Sequence, residues 1–286
     1  MRTEFIKVAV IGSGTMGTGI AIVLAKAGIL VNLVDVEERF LEISLEKIKD
    51  YLKGSVARGK MTEEETENIC NKIFLTIDLK GATKDIQLVI ETIIENESTK
   101  KKLYEELDVL CSNEVIFATN TSSISISDLA SVTKRADRFL GMHFFNPPQI
   151  MKLVEIIKGN STDDNVIEKI ISLCRRLGKT PVLSEETPGF IVNRLLWSFL
   201  NESYRILEAG ISKKEHIDEA VKLGLNHPMG PLELSDYIGL DVVLDLGNYI
   251  SEQLGEEYSP SSLLKELVEK GNLGKKSGKG FYNYKN

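Results

Sequence analysis

Short apolar runs rich in β-branched residues alternate along the first two thirds of the chain with longer stretches whose apolar residues recur every three or four positions. The runs at 7–11, 30–34, 73–76, 88–91 and 115–119 read as strands, and the stretches between them as amphipathic helices. Strands separated by helices imply a parallel, doubly wound sheet. Further apolar strands at 139–143 and 153–157, a helix over 163–177 and a strand around 181–184 would extend the same sheet. The acidic run Thr62-Glu63-Glu64-Glu65-Thr66-Glu67 reads as a capped, solvated helix start, where the helix dipole favours carboxylates.

The pattern changes at Thr187-Pro188-Gly189, a break marked by Pro and Gly. Beyond it helical periodicity covers 190–207, 213–223, 232–254 and 262–269, with no convincing strand apart from the tail. Two domains are therefore expected, 1–186 with the sheet and a mostly α-helical 187–286. Trp197, Phe199 and Tyr204 give the first helix of the second domain more apolar surface than docking on its own domain requires. A homodimer or higher homo-oligomer would use that surplus, and so would a crowded core.

Charge and composition narrow the class. A net charge of −7 over 286 residues argues against nucleic acid as a partner, although Lys275-Lys276 is free to meet a phosphorylated ligand. Cys70, Cys111 and Cys174 are few, far apart and odd in number, so they read as small core residues and not as a disulfide framework or a metal site. The most apolar helical run, 190–200, is interrupted by Asn193-Arg194 and is too short to span a bilayer. Strand-like residues begin near Phe5 and leave no room for a targeting segment, so a soluble cytoplasmic protein is expected.

The first strand runs straight into Gly12-Ser13-Gly14-Thr15-Met16-Gly17, and a helix-period stretch follows. That order of strand, glycine turn and helix is the dinucleotide-binding fingerprint. Gly12 permits the tight turn, Gly14 lets the backbone approach a pyrophosphate, Gly17 lets helix and strand pack closely, and the anion would rest on the helix amides at Thr15 and Met16. A plain βα turn could use the same glycines. Asp35 ends the second strand where an acid can accept hydrogen bonds from the adenosine ribose. A carboxylate there repels a ribose phosphate, so NAD is favoured over NADP, with Arg39 close enough to weaken the preference. Asp35 taken alone would also serve as a helix N-cap.

Proton chemistry has three candidate imidazoles. His216 reads as a helix-surface residue and His227 as a turn residue before Pro228, while His143 stands in the apolar run Gly141-Met142-His143-Phe144-Phe145-Asn146-Pro147-Pro148. An imidazole suits reversible proton exchange near neutrality. Glu155 lies inside Lys152-Leu153-Val154-Glu155-Ile156-Ile157, where a carboxylate needs a cationic or hydrogen-bonding partner unless its strand is an exposed edge.

Together with Asn120-Thr121-Ser122-Ser123, Pro188-Gly189-Phe190-Ile191-Val192-Asn193-Arg194 and Asn226-His227-Pro228-Met229-Gly230-Pro231-Leu232, these motifs give the whole chain a resemblance. It resembles the short-chain L-3-hydroxyacyl-CoA dehydrogenases, and among them the bacterial 3-hydroxybutyryl-CoA dehydrogenases. The resemblance implies an α/β chain with an N-terminal Rossmann-like doubly wound sheet and a C-terminal all-helical domain for substrate binding and dimerisation. It implies NAD as cofactor and an acyl-CoA substrate, the 3-hydroxybutyryl-CoA and acetoacetyl-CoA pair. His143 would be the acid-base residue and Glu155 the acceptor that fixes its tautomer. Ser122 and Asn193 would bind the substrate oxygen, Asn193 being a poor choice for stability in a mid-helix apolar run. Glu95, Lys100, Asn120, Ser122, Asn146 and Lys276 correspond to contacts of the nicotinamide half, although Glu95 and Lys100 could equally be a surface helix pair. Arg58 and Lys60 correspond to the region that binds the CoA phosphates, where a solvated basic patch would look the same. Thr92 replaces an alanine common in the family, with no chemistry at stake.

Two other functions fit the same scaffold. A gulonate-type dehydrogenase of a free hydroxy acid or sugar acid would dispense with CoA and need a cation for a carboxylate. A crystallin-like structural protein would not need His143, Glu155, Ser122 and Asn193 intact.

Overall fold

The computed structural model describes residues 5–284, which divide into two compact units, one ending at Glu186 and one beginning at Thr187. In the first, strands β1 (Lys7–Ile11), β2 (Leu30–Val34), β3 (Ile73–Thr76), β4 (Leu88–Glu91), β5 (Ile116–Thr119), β6 (Phe139–Phe144), β7 (Leu153–Lys158) and β8 (Thr180–Glu185) form one eight-stranded sheet in the order β3-β2-β1-β4-β5-β6-β7-β8. The connecting helices are α1 (Thr15–Lys26), α2 (Glu38–Ala57), α3 (Glu63–Cys70), α4 (Leu79–Ala82), α5 (Glu97–Leu110), α6 (Ile126–Ala130) and α7 (Asp164–Arg176). Central strands read as continuous apolar runs because both faces are covered: Val8, Val10, Leu33, Val89 and Ile90 are all fully buried. The chain leaves β1 for β2 on one side and returns to β4 on the other. This leaves a crevice beyond the carboxyl ends of β1 and β4, where open parallel sheets bind ligands.

The sheet departs from the expected parallel arrangement at one place. β6 and β7 pair antiparallel, with His143 opposite Glu155. Residues 145–152 are all that joins these strands, fewer than the dozen or so that a parallel crossover needs. Around α3 the acidic run forms a capping box, in which Thr62 Oγ1 accepts from the Glu65 amide at 3.1 Å and Glu65 accepts from the Thr62 amide at 2.8 Å.

The second unit contains α8 (Val192–Glu208), α9 (Lys214–Gly224), α10 (Pro231–Ile238), α11 (Leu240–Leu254) and α12 (Ser262–Glu269). The single helix expected over 232–254 is two, broken at Gly239, whose φ of 108° cannot continue a helix. Trp197 and Tyr204 are fully buried in this unit's own core with Leu200, Leu240 and Ile250. The Trp197 indole N–H donates to the Tyr258 carbonyl at 2.9 Å, and its ring packs on Gly247, where a Cβ would stand 2.3 Å away. A crowded core therefore accounts for these two aromatics, and Phe199 lies half-buried against the His227 ring. In the tail, the amides of Phe281 and Tyr282 and the Tyr284 hydroxyl all donate to the buried Asp236 carboxylate.

Burial pushes the Cys111 thiol up to about 11 and the Cys174 thiol up to about 12, while Cys70 is half-buried on α3. Among the described residues, no helix is long and apolar enough to cross a membrane, and no group of His, Cys, Asp or Glu side chains could hold a metal ion.

Candidate active site

The glycine turn lies at the carboxyl end of β1 with the geometry its sequence asks for. Gly12 has a φ of 100°, and a Cβ there would stand 2.7 Å from the Thr92 carbonyl oxygen. A Cβ on Gly17 would meet the Gly12 carbonyl oxygen at 1.8 Å. Gly14 has nothing within 4 Å of its missing Cβ and caps α1 without a side-chain hydrogen bond. The amide end of α1, with Thr15 exposed and Met16 half-buried, is thus uncapped, and no acid stands in its first turn. These features fit a dinucleotide pyrophosphate. Thr92 has a structural task that the sequence did not announce: its hydroxyl donates within this turn, lying 3.0 Å from the Ile11 carbonyl and 2.8 Å from that of Gly12.

Asp35 does not cap a helix, since Glu37 occupies the N-cap of α2. Its carboxylate accepts instead from the Ser13 amide at 2.7 Å, the Ser13 hydroxyl at 2.6 Å and the Val36 amide at 2.7 Å. It is fixed beside the glycine turn. Arg39 is paired with Glu37 at 2.8 Å, and its guanidinium lies over the Phe40 ring.

His143 and Glu155 face each other across the β6–β7 ladder on one face of the sheet, both almost wholly buried, with Nδ1 2.7 Å from Oε2. A carboxylate can only accept, so Nδ1 carries the proton and Nε2 of the neutral ring is left as the acceptor. The Ser122 hydroxyl lies 3.2 Å from Nε2 and can donate to it. Ser122 follows β5 at its carboxyl end. Asn120 in the same loop steadies β6, its Oδ1 accepting from the Phe144 amide at 2.9 Å. Asn146 is exposed, just beyond β6, at the cis bond to Pro147.

Glu95 and Lys100 are not a surface pair. Lys100, on α5, is fully buried and ion-paired with both Glu91 at 2.7 Å and Glu95 at 3.1 Å. The Lys100 side chain has no exposed surface in this conformation, and Glu95 stands between it and the 121–123 turn. Burial works to raise the Glu95 carboxyl but is outweighed by the Lys100 ammonium, the Thr121 hydroxyl and the Ser122 amide, which hold it below the usual range. Glu91 was missed in the sequence, although an acid closing the apolar strand Leu88-Val89-Ile90-Glu91 carries the same signal that singled out Glu155.

The remaining expected residues lie elsewhere. Arg58 caps the C-terminus of α2 and Lys60 follows in the turn to α3, both exposed. In the second unit, Asn193 is the second residue of α8 and so lies in a first turn and not mid-helix. Lys276 there sits 2.5 Å from Asp241. His216 and His227 are both exposed.

Residues 7–187 match the family model for the NAD binding domain of 3-hydroxyacyl-CoA dehydrogenase, and residues 189–284 match that for its C-terminal domain. The chain belongs to the 3-hydroxyacyl-CoA dehydrogenase family. Its fold is the Rossmann-like sheet with a helical C-terminal domain that characterises this family, and its cofactor is NAD. Among its relatives, a probable 3-hydroxybutyryl-CoA dehydrogenase of Bacillus subtilis (strain 168) is 42% identical, with 98% of each chain covered. The mitochondrial hydroxyacyl-coenzyme A dehydrogenase of Mus musculus is 44% identical, covering 97% of this chain and 91% of that one. The crystal structure of (S)-3-hydroxybutyryl-CoA dehydrogenase from Ralstonia eutropha superposes with a TM-score of 0.96 at 39% identity, covering 99% of this chain and 100% of that one.

Proposed function

We propose that this NAD-dependent dehydrogenase interconverts (S)-3-hydroxybutyryl-CoA and acetoacetyl-CoA, with His143 as the acid-base residue. The hydrogen-bonded chain from Glu155 through His143 to the Ser122 hydroxyl, at the carboxyl end of a dinucleotide-binding sheet, is the observation that carries this reading. When bound, the nicotinamide supplies the hydride acceptor or donor. His143 Nε2 takes the proton of the 3-hydroxyl in oxidation, and its conjugate acid returns a proton to the oxygen in reduction. Glu155 keeps the ring in the Nδ1–H tautomer and stabilises the imidazolium. The Ser122 hydroxyl, already within reach of Nε2, is placed to donate to the substrate oxygen once substrate arrives. On the family motif alone, Asn193 is assigned a second donor to that oxygen, and Arg58 and Lys60 the phosphates of CoA. Exposed Leu195, Leu223 and Leu225, at 66%, 78% and 60%, support self-association of the helical unit, which light scattering on the purified protein measures.

The deciding experiment follows NADH oxidation with acetoacetyl-CoA, with NADPH and free acetoacetate in parallel and His143→Gln as the reference. Turnover with acetoacetyl-CoA and NADH, reduced about 10²–10⁴-fold in the variant, is expected. Turnover with acetoacetate alone would transfer the protein to the free hydroxy acids, and none with either would favour a structural role.

A further inference from the structure

Under the loop that carries Ser122 lies a buried charge network that the proton chemistry above does not use. Glu91 closes β4 and Lys100 stands on α5, and neither side chain has any exposed surface. Lys100 Nζ donates to the two Glu91 oxygens, at 2.7 and 3.0 Å, and is ion-paired with Glu95 Oε2 at 3.1 Å. Glu91 is held in turn by the Thr119 hydroxyl at 2.7 Å and the Ile93 amide at 2.7 Å, with Tyr104 beside it. The other oxygen of Glu95 accepts from the Thr121 hydroxyl, from the Ser122 amide at 2.9 Å and from the Ser123 hydroxyl at 3.4 Å. Ser122 then meets His143.

An ion pair this deeply buried returns little net stability after desolvation, so its contribution to folding is a weak account of it. What it does geometrically is hold one carboxylate of a solvent-facing loop in a single orientation from below. We propose that Glu91 and Lys100 are positioning residues for the dehydrogenase reaction: they fix the Glu95 carboxylate against the 121–123 turn and so hold the Ser122 hydroxyl at His143 Nε2. This inference rests on the roles proposed above for His143 and Ser122.

Glu91→Gln with Lys100→Met removes the pair without stranding a buried charge. It is compared with Glu95→Gln and with the triple variant. If the pair acts through Glu95, each set lowers kcat about tenfold or more, KM for acetoacetyl-CoA stays within about twofold, and the triple variant is no worse than Glu95→Gln by more than about twofold. The His143 ring resonances, identified among three histidines by their loss in His143→Gln, move in the pair variant even without substrate. Should that variant not fold, Thr119→Val loosens Glu91 more gently and is expected to lower kcat a few fold and move the same resonances. Multiplying losses in the triple variant, or unmoved resonances with unchanged kcat, overturns the proposal. If the parent fails to turn over acetoacetyl-CoA, the assigned reaction is wrong, and the ring resonances alone decide the positioning.

Discussion

Glu155 does more for His143 than supply a negative charge, because a carboxylate that only accepts dictates which ring nitrogen holds the proton. An amide in its place can present N–H to Nδ1 and favour the wrong tautomer. Glu155→Gln is therefore expected to lower kcat by about 10²–10⁴ with KM for both substrates nearly unchanged, read by steady-state kinetics. Asp35 is the residue we propose for cofactor choice. Asp35→Ala is expected to raise KM for NADH about tenfold, the loss of a charge-assisted hydrogen bond. Adding Glu37→Gln releases Arg39 from its carboxylate partner and should raise kcat/KM with NADPH further, checked by assaying both cofactors. Glu95 carries a pH signature. Its folded-state value lies below the ordinary 4.5, so its contribution to stability is present above that pH and is lost as pH falls through the folded value. The urea midpoint of the parent should exceed that of Glu95→Gln at pH ~7, and the gap should narrow as pH falls from 4.5 through the folded value.

Among the elements, the β1–α1 turn has the least tolerance. Gly17→Ala would drive a methyl into the Gly12 carbonyl, and the expected result is a lower thermal midpoint and loss of NADH binding by fluorescence titration. The sequence announces such elements through local chemistry: β-branched runs, the glycine fingerprint and the capping box at Thr62 each specify structure within a few residues. Its silences are equally physical. Residues 232–254 keep a helical period across Gly239, and periodicity alone cannot tell a tolerated helical glycine from one at positive φ. The β6–β7 reversal depends on loop length, a constraint visible in the sequence but overridden by the alternation of strands and helices. Asn193 looked buried mid-helix because the apolar run starts before the helix does, at Val192. Glu91 and Lys100 are nine residues apart, on a strand and the helix after it, and only tertiary packing shows that they share one buried charge site.

At the scale of the molecule, Asp236 gathers several of the hydrogen bonds that stitch the tail to the helical unit, beside those of Lys214 to the Phe281 carbonyl and of the Tyr282 hydroxyl to Asp218. Asp236 accepts two backbone amides and a phenol, and an amide side chain there would turn N–H toward a donor. Asp236→Asn is expected to cost about 1–3 kcal/mol in urea denaturation. The thiols give a second global readout. With Cys111 and Cys174 buried and protonated, a maleimide should label at most Cys70 in the native protein and all three cysteines in denaturant, as counted by intact mass. The antiparallel pairing of β6 with β7 has a consequence of another kind. The proposed base and its partner are cross-strand neighbours 12 residues apart, so their alignment is a local property of one hairpin. Segment 139–158 is in that sense a cassette: wherever its two strands zip together in register, the proposed proton-transfer couple stands aligned, leaving the surroundings to place what meets its outer nitrogen.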